Sequence, residues 1–326
     1  MSDWLIFTGT GEPHGGIDRL PPPPPWRTYD GGPPIPVQRE SPSDGKRRRT
    51  LAATYQADPL TVELVNTALY LRRPLLVTGE PGIGKSTLAY AIAHELRLGP
   101  VLRWPVNSRT ALRDGLYRYD AVGRIEDASA GITDPDPGRY LRLGPLGTAL
   151  APYELPRVLL IDEIDKSDIE LPNDLLDVFE EGEYEIPELS RIADTASQVS
   201  VRPADNGAKI TVTDGRVTCR QFPIVVLTSN QERDFPAAFL RRCVRLDLTS
   251  PDEQRLAAIV AAHLGSEAAT RGEDLIAAFL ARRETGELAT DQLLNAVYLT
   301  AHAAGEHGLS RDKLAQLVLR HIGDTG

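Results

Sequence analysis

Residues 79 to 86 read Gly-Glu-Pro-Gly-Ile-Gly-Lys-Ser, with an apolar run, Leu75-Leu76-Val77, before them and a helix-patterned stretch to about Leu96 after them. A loop with this spacing belongs between a buried strand and the first turn of a helix, so it points to an α/β architecture before any other residue is considered. The reason is geometric. Glycines at 79, 82 and 84 let backbone N–H groups turn inward toward phosphate oxygens, and the positive end of the following helix faces the same anions. In such a cradle Lys85 reaches the β- and γ-phosphates of a nucleoside triphosphate and the Ser86 hydroxyl ligates Mg²⁺. Glu80, Pro81 and Ile83 complete the loop, and Thr87 follows in the first turn of the helix.

The 326 residues suffice for one α/β domain and a smaller companion. The two cysteines, Cys219 and Cys243, have neither zinc nor redox spacing, which points to small apolar roles and a reducing, cytoplasmic setting. No apolar stretch is long enough for a membrane span, and the N-terminus lacks the basic start and apolar core of a secretion signal. The net charge of −10 argues against broad adhesion to nucleic acid. The one dense basic run, Lys46-Arg47-Arg48-Arg49, reads as a solvated patch in a linker. No two histidines share a helix face at metal spacing, so a histidine metal site is not expected.

Ten of the 26 prolines precede residue 43, Pro21 to Pro25 among them, with little apolar periodicity around them. Residues 1–51 are therefore expected to form a flexible arm, acting as a spacer or as a docking peptide. From residue 52 the pattern becomes globular. It predicts a helix over 59–71, a strand over 74–78, a helix over 86–96 and strands over 101–106, 158–161, 224–228 and 244–248. The runs Val158-Leu159-Leu160-Ile161 and Ile224-Val225-Val226-Leu227 are those of parallel strands buried on both faces. Residues 52–249 are thus expected to form a doubly wound parallel sheet with its ligand outside the carboxyl ends of the strands. Helices from Ser250-Pro251 to about Leu264 and over 273–284, 291–304 and 310–322 make residues 250–326 a small all-helical domain.

Asp162 and Glu163 end the strand 158–161, beside the phosphate loop. Asp162 there holds Mg²⁺ through its water shell, and Glu163 accepts a proton from, or orients, the water that attacks the γ-phosphate. Asp165 is open to a plain helix-capping role. Asn230 ends the strand 224–228, where an amide can bond both the γ-phosphate and the nucleophilic water. Arg241 and Arg242, in Phe239-Leu240-Arg241-Arg242-Cys243, are either a fork for phosphate oxygens at a subunit edge or an ordinary surface ion pair.

On these motifs, residues 52 to 322 resemble the AAA+ ATPases, most closely the MoxR branch, with McrB-type proteins as neighbours. In that likeness residues 79–86 are Walker A, Val158 to Glu163 Walker B, Asn230 sensor 1, and Arg242 the arginine finger with Arg241 its companion. The resemblance implies a five-stranded core in the order 5-1-4-3-2, a C-terminal helical lid, and ATP with Mg²⁺ hydrolysed between subunits of a ring, usually a hexamer. It also implies a protein client, with von Willebrand factor A domain proteins as the partner class. One departure stands out. Where MoxR-like proteins carry a sensor 2 arginine this chain reads Ala289-Thr290-Asp291-Gln292, so either another arginine substitutes, Arg245 or Arg311, or the lid couples to nucleotide differently, and no sensor 2 residue is assigned.

Between Glu163 and Asn230, Lys209 to Cys219 has a hairpin pattern around Asp214-Gly215, read either as a client-facing projection or as an edge cover. The stretch Trp104 to Tyr119 offers a polar-aromatic surface, although Trp104 itself suits a core. The leading functional reading is a partner-remodelling ATPase. Behind it come an ATP-gated scaffold or switch with little turnover and, disfavoured by charge, a nucleic-acid translocase. The loop reads phosphates and not the base, so ATP over GTP rests on the resemblance alone.

Overall fold

The computed structural model describes residues 4–36, 46–132, 136–283 and 290–303. Its central sheet has strands β1 (Leu75–Thr78), β2 (Leu102–Pro105), β3 (Val158–Asp162), β4 (Ile224–Ser229) and β5 (Val244–Asp247). All are parallel, in the order β5-β1-β4-β3-β2. This is the expected order. Alternate residues divide the core. Leu75, Val77, Leu160 and Val226 pack on one face with helices Pro59–Leu71 and Lys85–Glu95. Leu76, Trp104, Ile161 and Leu227 pack on the other with helix Leu171–Glu181. Covering both faces is why β3 and β4 read as unbroken apolar runs. Each such Leu or Ile contributes about 1.5–3 kcal/mol by leaving water.

β4 lies between β1 and β3, so the chain segments leaving their carboxyl ends converge at one mouth. The helix Pro59–Leu71 that backs β1 starts where Asp58 accepts from Thr61 N at 2.8 Å with Pro59 in its first turn, and it stops where Arg72 turns left-handed. The Asp214-Gly215 hairpin is present, both residues having positive φ. It joins an antiparallel sheet of strands Glu183–Glu185, Arg216–Thr218, Ile210–Thr213 and Gln198–Val201. Val199, Val201, Ile210, Val212 and Val217 of that sheet are buried in the core, which makes it a cover. A second antiparallel pair joins Tyr117–Tyr119 with Leu141–Leu143, and Trp104 and Tyr117 are both core residues.

The segment expected to be a flexible arm lies instead as a strap on the core over residues 4–36. Ile6 and Phe7 are buried, and the buried Asn66 holds their backbone. Its Oδ1 accepts from Ile6 N at 2.6 Å and Phe7 N at 3.0 Å, and its Nδ2 donates to Phe7 O at 2.7 Å. Glu95, fully buried, accepts from Thr8 N (2.5 Å), Gly9 N and Gly11 N (both 3.2 Å). Farther on, Arg27 donates to Phe179 O and Tyr29 Oη to Glu180 O. The backbone of Lys46–Ala53, expected to be linker, is helical.

Helices Glu253–Leu264, Ser266–Arg271, Glu273–Arg283 and Thr290–Ala303 share their own core of Leu256, Val260, Phe279, Leu293 and Val297. The first is capped by Asp252, two residues beyond the expected Ser250. It docks on the sheet domain where Arg255 Nη1 meets Asp58 Oδ2 at 3.1 Å. The expected helix 310–322, Arg311 and Ala289 lie outside the described residues. Among the described residues, no helix is long and apolar enough to cross a membrane.

Candidate functional site

The loop after β1 is shaped by glycine. At Gly79 (φ 141°) an added Cβ would stand 2.6 Å from Leu248 O, so both the conformation and the close approach exclude other residues. Gly84 (φ 96°) turns the chain into the helix Lys85–Glu95. Lys85, nearly buried, donates through Nζ to Gly79 O and Glu80 O, both at 2.7 Å, and so braces the loop across its width. Burial pushes its ammonium below the ordinary lysine value, while the charges of Asp165, Asp162, Glu163 and Glu80 act in the opposite direction. Pro81 and Gly82 at the tip are exposed.

Asp162 stands at the end of β3 with both oxygens engaged. Oδ1 accepts from Ser86 Oγ at 2.7 Å and Thr228 Oγ1 at 2.9 Å, and Oδ2 from Arg103 Nη2 at 2.6 Å and Nε at 3.1 Å. Burial alone would raise this carboxyl, but the hydrogen bonds from Ser86, Arg103 and Thr228 and the Arg103 charge outweigh it and hold it below the ordinary value. Glu163 follows at φ 62°, a left-handed conformation that costs a non-glycine residue about 1–3 kcal/mol. Its N–H donates to Thr228 Oγ1 at 2.9 Å, and its half-exposed carboxylate pairs with Lys166 at 2.9 Å. Asp165 does more than cap. Buried, it accepts from Asn230 N at 2.8 Å and Glu232 N at 3.2 Å and so fixes the loop that carries Asn230.

Lys85, Ser86, Asp162 and Glu163 are thus brought to one mouth, and Asn230 is tied there through Asp165. The two arginines are placed elsewhere. Arg242, ending the helix Ala237–Arg242, pairs with Glu180 of the helix Leu171–Glu181, and exposed Arg241 accepts from Arg73 Nη1 through its carbonyl at 3.3 Å. Of the sensor 2 substitutes, Arg245 is exposed on the edge strand β5.

Behind the loop a cavity of about 140 Å³ opens between the two domains, walled by Tyr55, Gly84, Thr87, Leu248, Ile259 and Leu294. Tyr55 Oη is buried there without a hydrogen-bond partner, and burial raises its hydroxyl. Arg255 and His263 also line it from the lid. Sequence reasoning missed Arg103, Tyr55, Thr228 and Arg255. The outward position of Arg103 in an alternating strand was the only available signal, and it carries meaning only once β2 is laid beside β3.

These residues fit a Mg²⁺-bound nucleoside triphosphate. The glycine cradle and helix N-terminus suit phosphates, and the orphaned Tyr55 hydroxyl gives the cavity a polar group for a base. Among the described residues, no group of three or more His, Cys, Asp or Glu could hold a metal ion. One carboxylate with one hydroxyl is instead the donor set of a Mg²⁺ that keeps its waters and phosphate oxygens. A comparison with curated proteins found no match. A family model of the AAA domain, dynein-related subfamily, matches residues 74–243, just over half of the chain, from the strand before the phosphate loop to the end of the arginine segment. The chain therefore belongs to the AAA domain family, in its dynein-related subfamily, and carries the fold of an AAA+ ATPase.

Proposed function

We propose that the chain is a MoxR-like ATPase that hydrolyses ATP between the subunits of a ring and uses the cycle to remodel a protein partner. The observation that carries this reading is the convergence of Lys85, Ser86, Asp162 and Glu163 at the mouth of the sheet, with Asn230 fixed beside them by Asp165. Lys85 would neutralise the β- and γ-phosphates, and backbone N–H groups of residues 79–84 would hold their oxygens. Ser86 and Asp162 would hold Mg²⁺, which supplies charge compensation on the phosphates. Glu163, in a left-handed backbone with its N–H on Thr228 and its carboxylate on Lys166, would turn that carboxylate to the attacking water, and Asn230 would steady the water with its amide. Arg242 is paired with Glu180 of its own chain, so its service to a neighbouring subunit rests on the family resemblance and would require that pair to open. The net charge of −10 favours a protein client over nucleic acid.

Phosphate release by the wild type and by Glu163→Gln tests the reading. Turnover is expected to fall by about 100-fold or more while ATP binding persists. Equal release from both proteins removes Glu163 from its role. Negligible release from the wild type, with ATP-dependent partner binding retained, would make the protein a nucleotide-gated switch.

A further inference from the structure

Arg103 is required by none of the motifs, yet it makes the most complete polar contact at the mouth. It lies on β2 opposite Leu160, two residues before the position that pairs with Asp162, and its side chain is 48% exposed. From there the guanidinium closes a fork on Asp162 Oδ2, with Nη2 at 2.6 Å and Nε at 3.1 Å. Ser86 and Thr228 fill Oδ1, so every oxygen of this carboxylate already has protein donors. A forked, charge-assisted pair is among the stronger hydrogen-bonding arrangements, and Mg²⁺ is a second cation directed at the same carboxylate.

We propose that Arg103 is a positioning residue that sets how much Mg²⁺ the protein needs to bind nucleotide. Resting on Oδ2, it supplies a positive charge at Asp162, against which a Mg²⁺ held by Ser86 and, through its water shell, by Asp162 would have to bind unless the guanidinium swings away. The half-exposed side chain makes the exchange feasible, because the guanidinium can leave the carboxylate into water without disturbing the core. The proposal rests on the nucleotide reading above and names a competition within that site.

The test is a Mg²⁺ titration of binding to the full chain, using a fluorescent ribose-labelled ATP analogue at fixed concentration. Arg103→Met keeps the stem and removes the charge, while Arg103→Lys keeps a charge without the fork. Melting curves check that each variant folds. Arg103→Met is expected to lower the Mg²⁺ midpoint by about tenfold, since one charged hydrogen-bonding pair no longer competes. Arg103→Lys should fall between, and adding Asp162→Asn should abolish the difference that Arg103→Met makes. An unchanged or higher midpoint in Arg103→Met overturns the proposal, because a purely structural ion pair has no reason to oppose the metal. If the wild type binds no analogue at any Mg²⁺ concentration, the nucleotide reading itself falls, a result distinct from a titration that succeeds without shifting.

Discussion

The phosphate mouth and the N-terminal strap are built in opposite ways. At the mouth, chemistry is carried by short contiguous runs, residues 79–86 and 158–163, and the cations Lys85, Arg103 and Lys166 each have an acceptor within the site. The strap looks locally like a chain that does not fold, rich in proline and poor in apolar periodicity. It is ordered by two buried polar residues of the domain it crosses, Asn66 and Glu95, which sit on helices far away in sequence. Composition describes what a segment can do alone, and it is silent on receptors supplied by another part of the chain.

The comparison can be broken by removing the receptors. Glu95→Ala leaves the N–H groups of Thr8, Gly9 and Gly11 without their acceptor and is expected to cost about 3 kcal/mol, with Asn66→Ala close behind. Limited proteolysis should then cut within the first 20 residues while nucleotide binding survives. A strap that stays protected in both variants would mean that burial of Ile6 and Phe7 and the remaining contacts, such as Arg27 and Tyr29 on the helix Leu171–Glu181, suffice to hold it. A smaller effect is expected inside the mouth. Thr228→Val removes one hydroxyl that serves both Glu163 N and Asp162 Oδ1, and should cost about 1–3 kcal/mol and slow turnover without loosening the strap. Unchanged turnover in that variant would show that Glu163 keeps its left-handed conformation without help. Smallest of all is the effect expected from thiol reagents. Burial pushes Cys219 and Cys243 up to about 12, so neither forms an appreciable thiolate at pH 8 and both should resist labelling until the protein unfolds. Rapid labelling of native protein would place a cysteine at an opening segment.

Much of the sheet was legible because its strands announce themselves. β3 and β4 are unbroken apolar runs, Lys85 and Ser86 sit at a fixed offset from β1, and Asp162 ends β3. Glu163 was legible as a residue but not as a strained one, since its left-handed backbone is imposed by the turn from β3 into the short helix Ile164–Lys166. Arg103 was hidden because its meaning depends on strand register with a partner 59 positions away. Arg255 was hidden in the same way, as one arginine in a lid helix until docking set it against Asp58 and the cavity. The strands Tyr117–Tyr119 and Leu141–Leu143 escaped for another reason. Three residues are too few for alternation to rise above the surrounding sequence.

The central claim is that a triphosphate is held where β1 opens into the helix Lys85–Glu95. Equilibrium binding of labelled ATP with Mg²⁺ to the wild type and to Lys85→Ala tests it most directly. The account predicts one saturable site per chain, displaced by unlabelled ATP and weakened by about tenfold or more when the ammonium is removed. Binding of equal strength in the two proteins, or none in either, would contradict it.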